Sequence, residues 1–432
     1  MSNHSEELSQ YINALWIVDT HEHVEPVEAK RDFDTDFLKE YLHHYFCCDL
    51  VSAGLSLQEL AMVRDCRLPL CQRWALAERH WNVARNTGYG RALDLAVKDL
   101  YGIDGIRGDT IHALDAAFKA SLQMGQYHKV LKEKSKILIS IVDNVDGKDN
   151  SLQCDLEFFR MAKRFDHFIR PKTYQDILDI EMETGICIHS FQDWLDALEH
   201  SLDTALQKGL IAIKSGIAYD RDLSFGRVEQ PDAEESFNAF FERKTLKTQG
   251  TNSLMPTRYF ENFMMHYLLG LANKRRMVFQ IHTGAFEGNG NNIRNGDMSP
   301  LYNLFLEYPD VKFDVFHMSY PYQHLSGIFG KSFPNVYLDM CWAHLLSPTA
   351  AICTLTEWLD TVPLNKMLAF GGDFRFIDGI YAHQIIARKN VAKALDIKID
   401  QGFFSLNDAM CAARMMFRDN PLALYGLTET IQ

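Results

Sequence analysis

The chain has 432 residues, 47% of them hydrophobic, and a formal net charge of −13 at pH 7, which is enough apolar content for one large domain with insertions or for two domains. The acidic balance argues against nucleic acid as the main partner, because neutralising phosphates needs a concentrated basic face, and the basic triplet at 274–276 reads as a solvated helix end. The N-terminus MSNHSEELSQ lacks the basic start and apolar core of a signal peptide, and no run of about 18 apolar residues occurs, so a cytoplasmic protein without a membrane partner is expected.

Short apolar runs recur along the chain: 15–19 (LWIVD), 136–142 (KILISIV), 165–169 (FDHFI), 210–214 (LIAIK), 277–282 (MVFQIH), 311–317 (VKFDVFH), 335–340 (NVYLDM) and 366–370 (KMLAF). Amphipathic segments such as 191–210 and 299–308 lie between most of them. Strand then helix, repeated, implies parallel strands. Eight such units predict an α/β fold of the (β/α)8 TIM-barrel type, whose active site gathers at the C-terminal ends of the strands; a doubly wound open sheet is the alternative. The chain is expected to be one domain, 1–432, with a large helical insertion at 24–135 after the first strand and a smaller one at 217–257 after the fourth. Both leave from strand C-termini, where they can cover a site and supply a lid and substrate contacts.

The first strand runs into WIVDTHEHVEP. Side chains at i and i+2 of a strand point the same way, so His21 and His23 project together from its end, a spacing that lets two imidazoles reach one zinc ion at about 2 Å. The fourth strand ends at Lys214, the fifth at His282, the sixth at His317 and the eighth at Asp373 in FGGDF. Singly, each has a bland reading: a hydrogen-bonded strand-end histidine, or an aspartate that caps a turn. Four histidines and an aspartate at four strand ends of one barrel predict a metal site. Arg221, Arg294 and Arg375 follow strands four, five and eight, where they could clamp a carboxylate. Tyr219, Tyr320, Tyr322 and Trp342 are expected to line the pocket. The nine cysteines are odd in number and scattered without a Cys-x-x-Cys motif; Cys187, Cys341 and Cys353, in apolar surroundings, are expected to be buried thiols, and the adjacent Cys47 and Cys48 do not have a metal-binding spacing.

With these strand ends in place the sequence resembles the amidohydrolase superfamily of metal-dependent barrels. AIKSGIAYDR, QIHTG, VFHMSYPY, FPNVYLDM and KMLAFGGDFRF make it look most like the amidohydrolase-2 type, which includes the domain fused to glutamine-synthetase-like proteins. The resemblance implies His21, His23 and Asp373 as ligands of a first metal, His282 and His317 as ligands of a second or as water-orienting groups, and Asp373 and His317 as catalytic. It also implies that Lys214, once carbamylated by CO2, bridges two metals; the alternatives are a contact to a substrate anion or neutralisation of buried acids. Zinc is expected, with manganese or iron tolerated. The expected activity is hydrolysis of an amide, lactone or ester bond in a small, carboxylated substrate by a metal-activated water. The insertion after the first strand also resembles the layout of uronate isomerases. Those enzymes lack the strand-five histidine present here as His282, so isomerase ranks second and nonoxidative decarboxylase third. A non-catalytic metal-binding barrel is the remaining alternative. Acidic barrels of this size often associate, so a homo-oligomer stays open.

Overall fold

The computed structural model describes residues 3–143, 152–246 and 257–427. Eight parallel strands follow one another in chain order around a single sheet: β1 (Ile17–Glu22), β2 (Ile137–Asp143), β3 (Phe159–Arg164), β4 (Ala212–Ser215), β5 (Val278–Ile281), β6 (Lys312–Val315), β7 (Val336–Asp339) and β8 (Met367–Leu368). Sequential order rules out the doubly wound alternative, which needs a reversal of strand order. The last strand meets the first through Thr20 N donating to Phe370 O (3.1 Å), Asp373 N to His21 O (2.8 Å) and His23 N to Phe374 O (2.9 Å). These bonds carry the closure beyond the two-residue β8, up to the level of the candidate site.

The third strand corrects the sequence expectation. The segment 165–169 is not a strand; Asp166–Ile169 forms a short helix and the strand is Phe159–Arg164, sequence FRMAKR. Its charged residues break the apolar run that marks the other strands, and they are satisfied by partners distant in sequence: Lys163 by Glu183 and Ser201, and Arg164 by Asp143 (Nε to Oδ2, 2.8 Å).

Val18, Ile139, Ile141, Ala162, Ala212, Val278 and Leu368 fill the barrel interior together with Leu422, Leu424 and Tyr425 from the last helix. Lys312, at the start of β6, donates to the carbonyl of Leu424, so this helix plugs the N-terminal end of the barrel. The opposite end is left for chemistry.

Between β1 and β2 the chain forms six α-helices, from Phe37–Tyr41 through Ile111–Ser121, and a π-helical turn at His128–Lys134. Starts are fixed locally: Ser56 and Glu59 form a capping box, and Asp36 caps its helix while also holding the buried Arg73. Phe46, Trp74 and Trp81 are buried within these helices in an apolar interior continuous with that outside the barrel. Of the excursion expected at 217–257, residues 247–256 lie outside those described; Gln230–Leu246 and Arg258–Lys274 are helices that pack together. Cys341 is buried, but Cys187 and Cys353 are exposed. Cys353 sits on a helix whose inward stripe is Ala351, Thr354, Leu355 and Trp358, so an apolar neighbourhood in sequence misled about its face. Cys187 precedes a buried Ile188 in extended chain and points the other way.

Candidate metal centre

At the C-terminal end of the barrel His21, His23, Lys214, His282, His317 and Asp373 come together. His23 Nε2 lies 3.0 Å and His21 Nε2 3.7 Å from Asp373 Oδ1, and His317 Nδ1 lies 3.9 Å from Asp373 Oδ2. His317 Nε2 faces His282 Nδ1 at 3.0 Å. Lys214 Nζ is 3.4 Å from His21 Nε2 and 3.6 Å over the ring of Phe316.

The second nitrogen of three imidazoles is spent on a backbone carbonyl: His23 Nδ1 on Asp143 O (2.9 Å), His317 Nδ1 on Cys341 O (3.2 Å) and His282 Nε2 on Ala285 O (2.8 Å). A carbonyl only accepts, so these nitrogens carry the hydrogens. His317 Nε2 and His282 Nδ1 therefore face each other with lone pairs, and His23 Nε2 turns a lone pair toward a carboxylate oxygen, unless a proton or a cation lies between. Between His282 and His317 a proton is disfavoured: burial, reinforced by the neighbouring cations, drives His282 well below its ordinary pKa and His317 down to about 3, and His21 is driven down in the same way. Two ligands each about 2.1 Å from one zinc ion stand about 3–3.5 Å apart, as these atoms do, and carbonyl-anchored imidazoles are the usual support of metal-binding histidines. The residues fit a divalent metal.

Burial pulls the Lys214 amine down to about 8, which brings it nearer than an exposed lysine to the neutral form that reacts with CO2. The Gly371–Gly372 pair before Asp373 is a packing requirement as well as a turn. A Cβ on Gly372 would fall 1.7 Å from Glu22 Oε1, whose other oxygen accepts the N–H of Phe374 at 2.7 Å. Positive φ at non-glycine residues clusters around the site, at His44, His317, Trp342 and Asp373, and such backbone strain recurs at functional sites.

Of the expected pocket residues, Trp342 packs edge-on to His317 (5.3 Å between ring centroids) and Tyr219 lies 4.7 Å from His282, its hydroxyl accepting the N–H of Glu287. Arg375 is exposed beside the site, its charge felt by His43, His44 and Glu287. Tyr320 is half-buried, Arg294 is exposed on its loop, and Tyr322 donates to Ile293 O. Arg221 is differently employed: buried, it donates to Glu261 (2.7 Å) and to the Ser224 carbonyl, while Arg170 holds the other Glu261 oxygen. These bonds tie Arg221 to Glu261 and to its own loop, which argues against a role as substrate clamp.

Sequence reasoning missed Tyr45, His44 and Asp143. Tyr45 Oη donates to Asp373 Oδ2 at 2.6 Å, and its ring stacks on Trp342 at 4.1 Å. His44 lies against Tyr45 and 5.9 Å from His23. Asp143 ends β2, with one oxygen held by Arg164 and the other without a partner, near His21 and His23. Asp143 could have been found, because it ends an apolar run as the other site residues do. Tyr45 and His44 carried no such signal, since only the tertiary path of the insertion brings them over the barrel.

A family model described as amidohydrolase matches residues 227–427. The curated protein fluG of Emericella nidulans is 24% identical over 233 residues, covering 52% of this chain, which spans 27% of that protein's length. Among solved structures, a uronate isomerase from Thermotoga maritima aligns at TM-score 0.78 with 15% identity, covering 98% of both chains. A glucuronate isomerase from Caulobacter crescentus aligns at 0.76 with 16% identity, over 98% of this chain and 94% of that one. A candidate metal-dependent hydrolase from Lactobacillus casei aligns at 0.68 with 15% identity, over 98% and 99%. At such identities the structural likenesses establish the fold alone. The family match covers residues 227–427, a little under half of the chain, and on a barrel with this set of strand ends it makes the chain similar to the amidohydrolases.

Proposed function

We propose that the chain is a metal-dependent hydrolase of a small, carboxylated amide, lactone or ester. The observation that carries the proposal is the facing pair of lone pairs on His282 and His317, separate from the His21, His23 and Asp373 set. The first set would hold one divalent ion of the zinc class and the second pair another, and Lys214, if carbamylated, would add a carboxylate ligand between the two sets. Such ions, when bound, polarise a substrate carbonyl and lower the pKa of water towards about 7. Asp373 accepts the proton of the attacking water and delivers it to the departing amine or alkoxide. Tyr45 orients Asp373, and burial beside that carboxylate keeps the Tyr45 hydroxyl protonated as a donor. Arg375, at the mouth, is placed to meet a substrate carboxylate, and Trp342 and Tyr219 wall the pocket.

Isomerisation of a uronate is the second reading. It is favoured by the insertion, which is included in the whole-chain likeness to proteins named uronate isomerases and which brings a hydroxyl donor to Asp373; His282 opposite His317 ranks hydrolysis first. The test is turnover by zinc- or manganese-loaded protein of N-acyl amino acids, carboxylated lactones and carboxylate esters, beside a panel of uronates. Hydrolysis that disappears in Asp373→Asn supports the proposal. Ketose formation from a uronate with no hydrolysis of any panel member overturns it in favour of the isomerase.

A further inference from the structure

A second group of metal-ligating side chains lies outside the candidate centre. Cys47 and Cys48 stand in the first turn of the helix Tyr45–Ser52, and Glu287 lies on the loop after β5. One ligand atom from each falls within 4.8 Å of the others. We propose that Cys47, Cys48 and Glu287 form a cation site for a zinc-class divalent ion, which ties the helical insertion to the β5 loop at the mouth of the barrel.

Adjacent cysteines are a poor metal signature in sequence, because consecutive side chains on a helix diverge. Here the third ligand arrives from a distant loop and the convergence is tertiary. The two segments are already joined at this point: the N–H of Gly288 donates to Cys48 Sγ (3.2 Å), and Asn289 Nδ2 donates to Cys48 O (3.1 Å). The backbone donor shows that the Cys48 sulfur is turned toward the β5 loop, where it accepts; the neighbouring Cys47 and burial otherwise hold its thiol up. Cys47 Sγ donates to the His44 carbonyl at 2.7 Å, a contact that an ion bound there would replace. All three ligands are partly buried, and burial disfavours the Glu287 anion, so a cation would relieve a desolvated charge. With both thiols ionised the ligands carry three negative charges; a divalent ion and Arg64 balance them. Thiolate with carboxylate suits zinc. Zinc–sulfur bonds of about 2.3 Å put two sulfurs about 3.8 Å apart, within the observed spread. The same helix carries Tyr45 and the same loop follows His282, so an ion here would fix the insertion over the metal centre.

Cobalt(II) titration of the full chain distinguishes this site from the histidine-rich centre, because only thiolate ligation gives a near-ultraviolet sulfur-to-cobalt charge-transfer band. The band is expected in the unaltered chain and in Cys341→Ser, and its apparent affinity is expected to fall at least tenfold in Cys47→Ser and in Cys48→Ser. Zinc is also expected to slow alkylation of Cys47 and Cys48 in the unaltered chain at least tenfold, read peptide by peptide, while exposed Cys66 and Cys71 are unaffected; this arm needs no variant to fold. Absence of the band, a band that survives Cys47→Ser with Cys48→Ser and vanishes in Cys341→Ser, or alkylation rates indifferent to zinc would overturn the proposal.

Discussion

Tyr45→Phe isolates what the insertion contributes to the centre. The substitution deletes one oxygen, and stacking on Trp342 with the contact to Tyr89 keeps the ring in place. It removes an O–H donor 2.6 Å from Asp373 Oδ2, within the range of a charge-assisted bond. A hydrogen bond to a charged group contributes about 1.5–3 kcal/mol, so if the bond orients Asp373 for proton transfer, kcat/KM should fall about 10- to 150-fold. The pH profile carries a second signature. A donor to the carboxylate favours its anion, so its loss raises the pKa of Asp373 and moves the acid limb of the profile to higher pH. The assay is steady-state kinetics across pH, on the substrate found in the panel, with metal content measured on the same preparations. Activity within about threefold of the unaltered chain and an unmoved acid limb, at equal metal content, would show that Tyr45 is only a packing residue.

Glu261→Gln leaves Arg221 and Arg170 facing a neutral amide in a buried position, and breaking such a pair costs about 3–5 kcal/mol; a urea midpoint within error of the parent would refute this account, and a raised KM for Arg221→Ala at unchanged stability would return Arg221 to the substrate set. Asp339 is raised by burial and then by the charge of Asp19, and Asp314 by burial and then by Asp339. A carboxyl raised in the folded state favours folding most below its unfolded value of 3.8, and this contribution is lost as pH rises through the folded value. Asp339→Asn should therefore flatten the decline in stability between acid and neutral pH, as compared by urea midpoints at acid and neutral pH. Stripping with a chelator should lower the melting temperature, and zinc at a thousandfold excess over Kd should restore about 4 kcal/mol per occupied site, with a smaller gain in His282→Ala; calorimetry showing no zinc response would remove the metal from the proposal.

What the sequence revealed and what it hid divide along one physical line. A buried parallel strand must be apolar throughout, and the first polar residue after it stands at the barrel's rim, so His21, His282, His317 and Asp373 were legible one at a time and their convergence followed from strand order. The third strand escaped because Lys163 on its outer face and Arg164 at its rim are charged and paired with Glu183 and Asp143, partners that a local window does not contain. Arg221 shows the converse failure: its position after β4 was right for a substrate clamp, yet Glu261, from a helix across the second excursion, already occupies it. Tyr45 and the Cys47–Cys48 pair are read correctly only once the insertion is folded back over the rim. On the proposed reading the barrel would supply the metal ligands, whereas the groups that would decide between moving a proton within a substrate and delivering water to it come from the insertion. If Tyr45 proves to matter for one substrate class alone, the reaction was selected in the segment whose sequence announced it least.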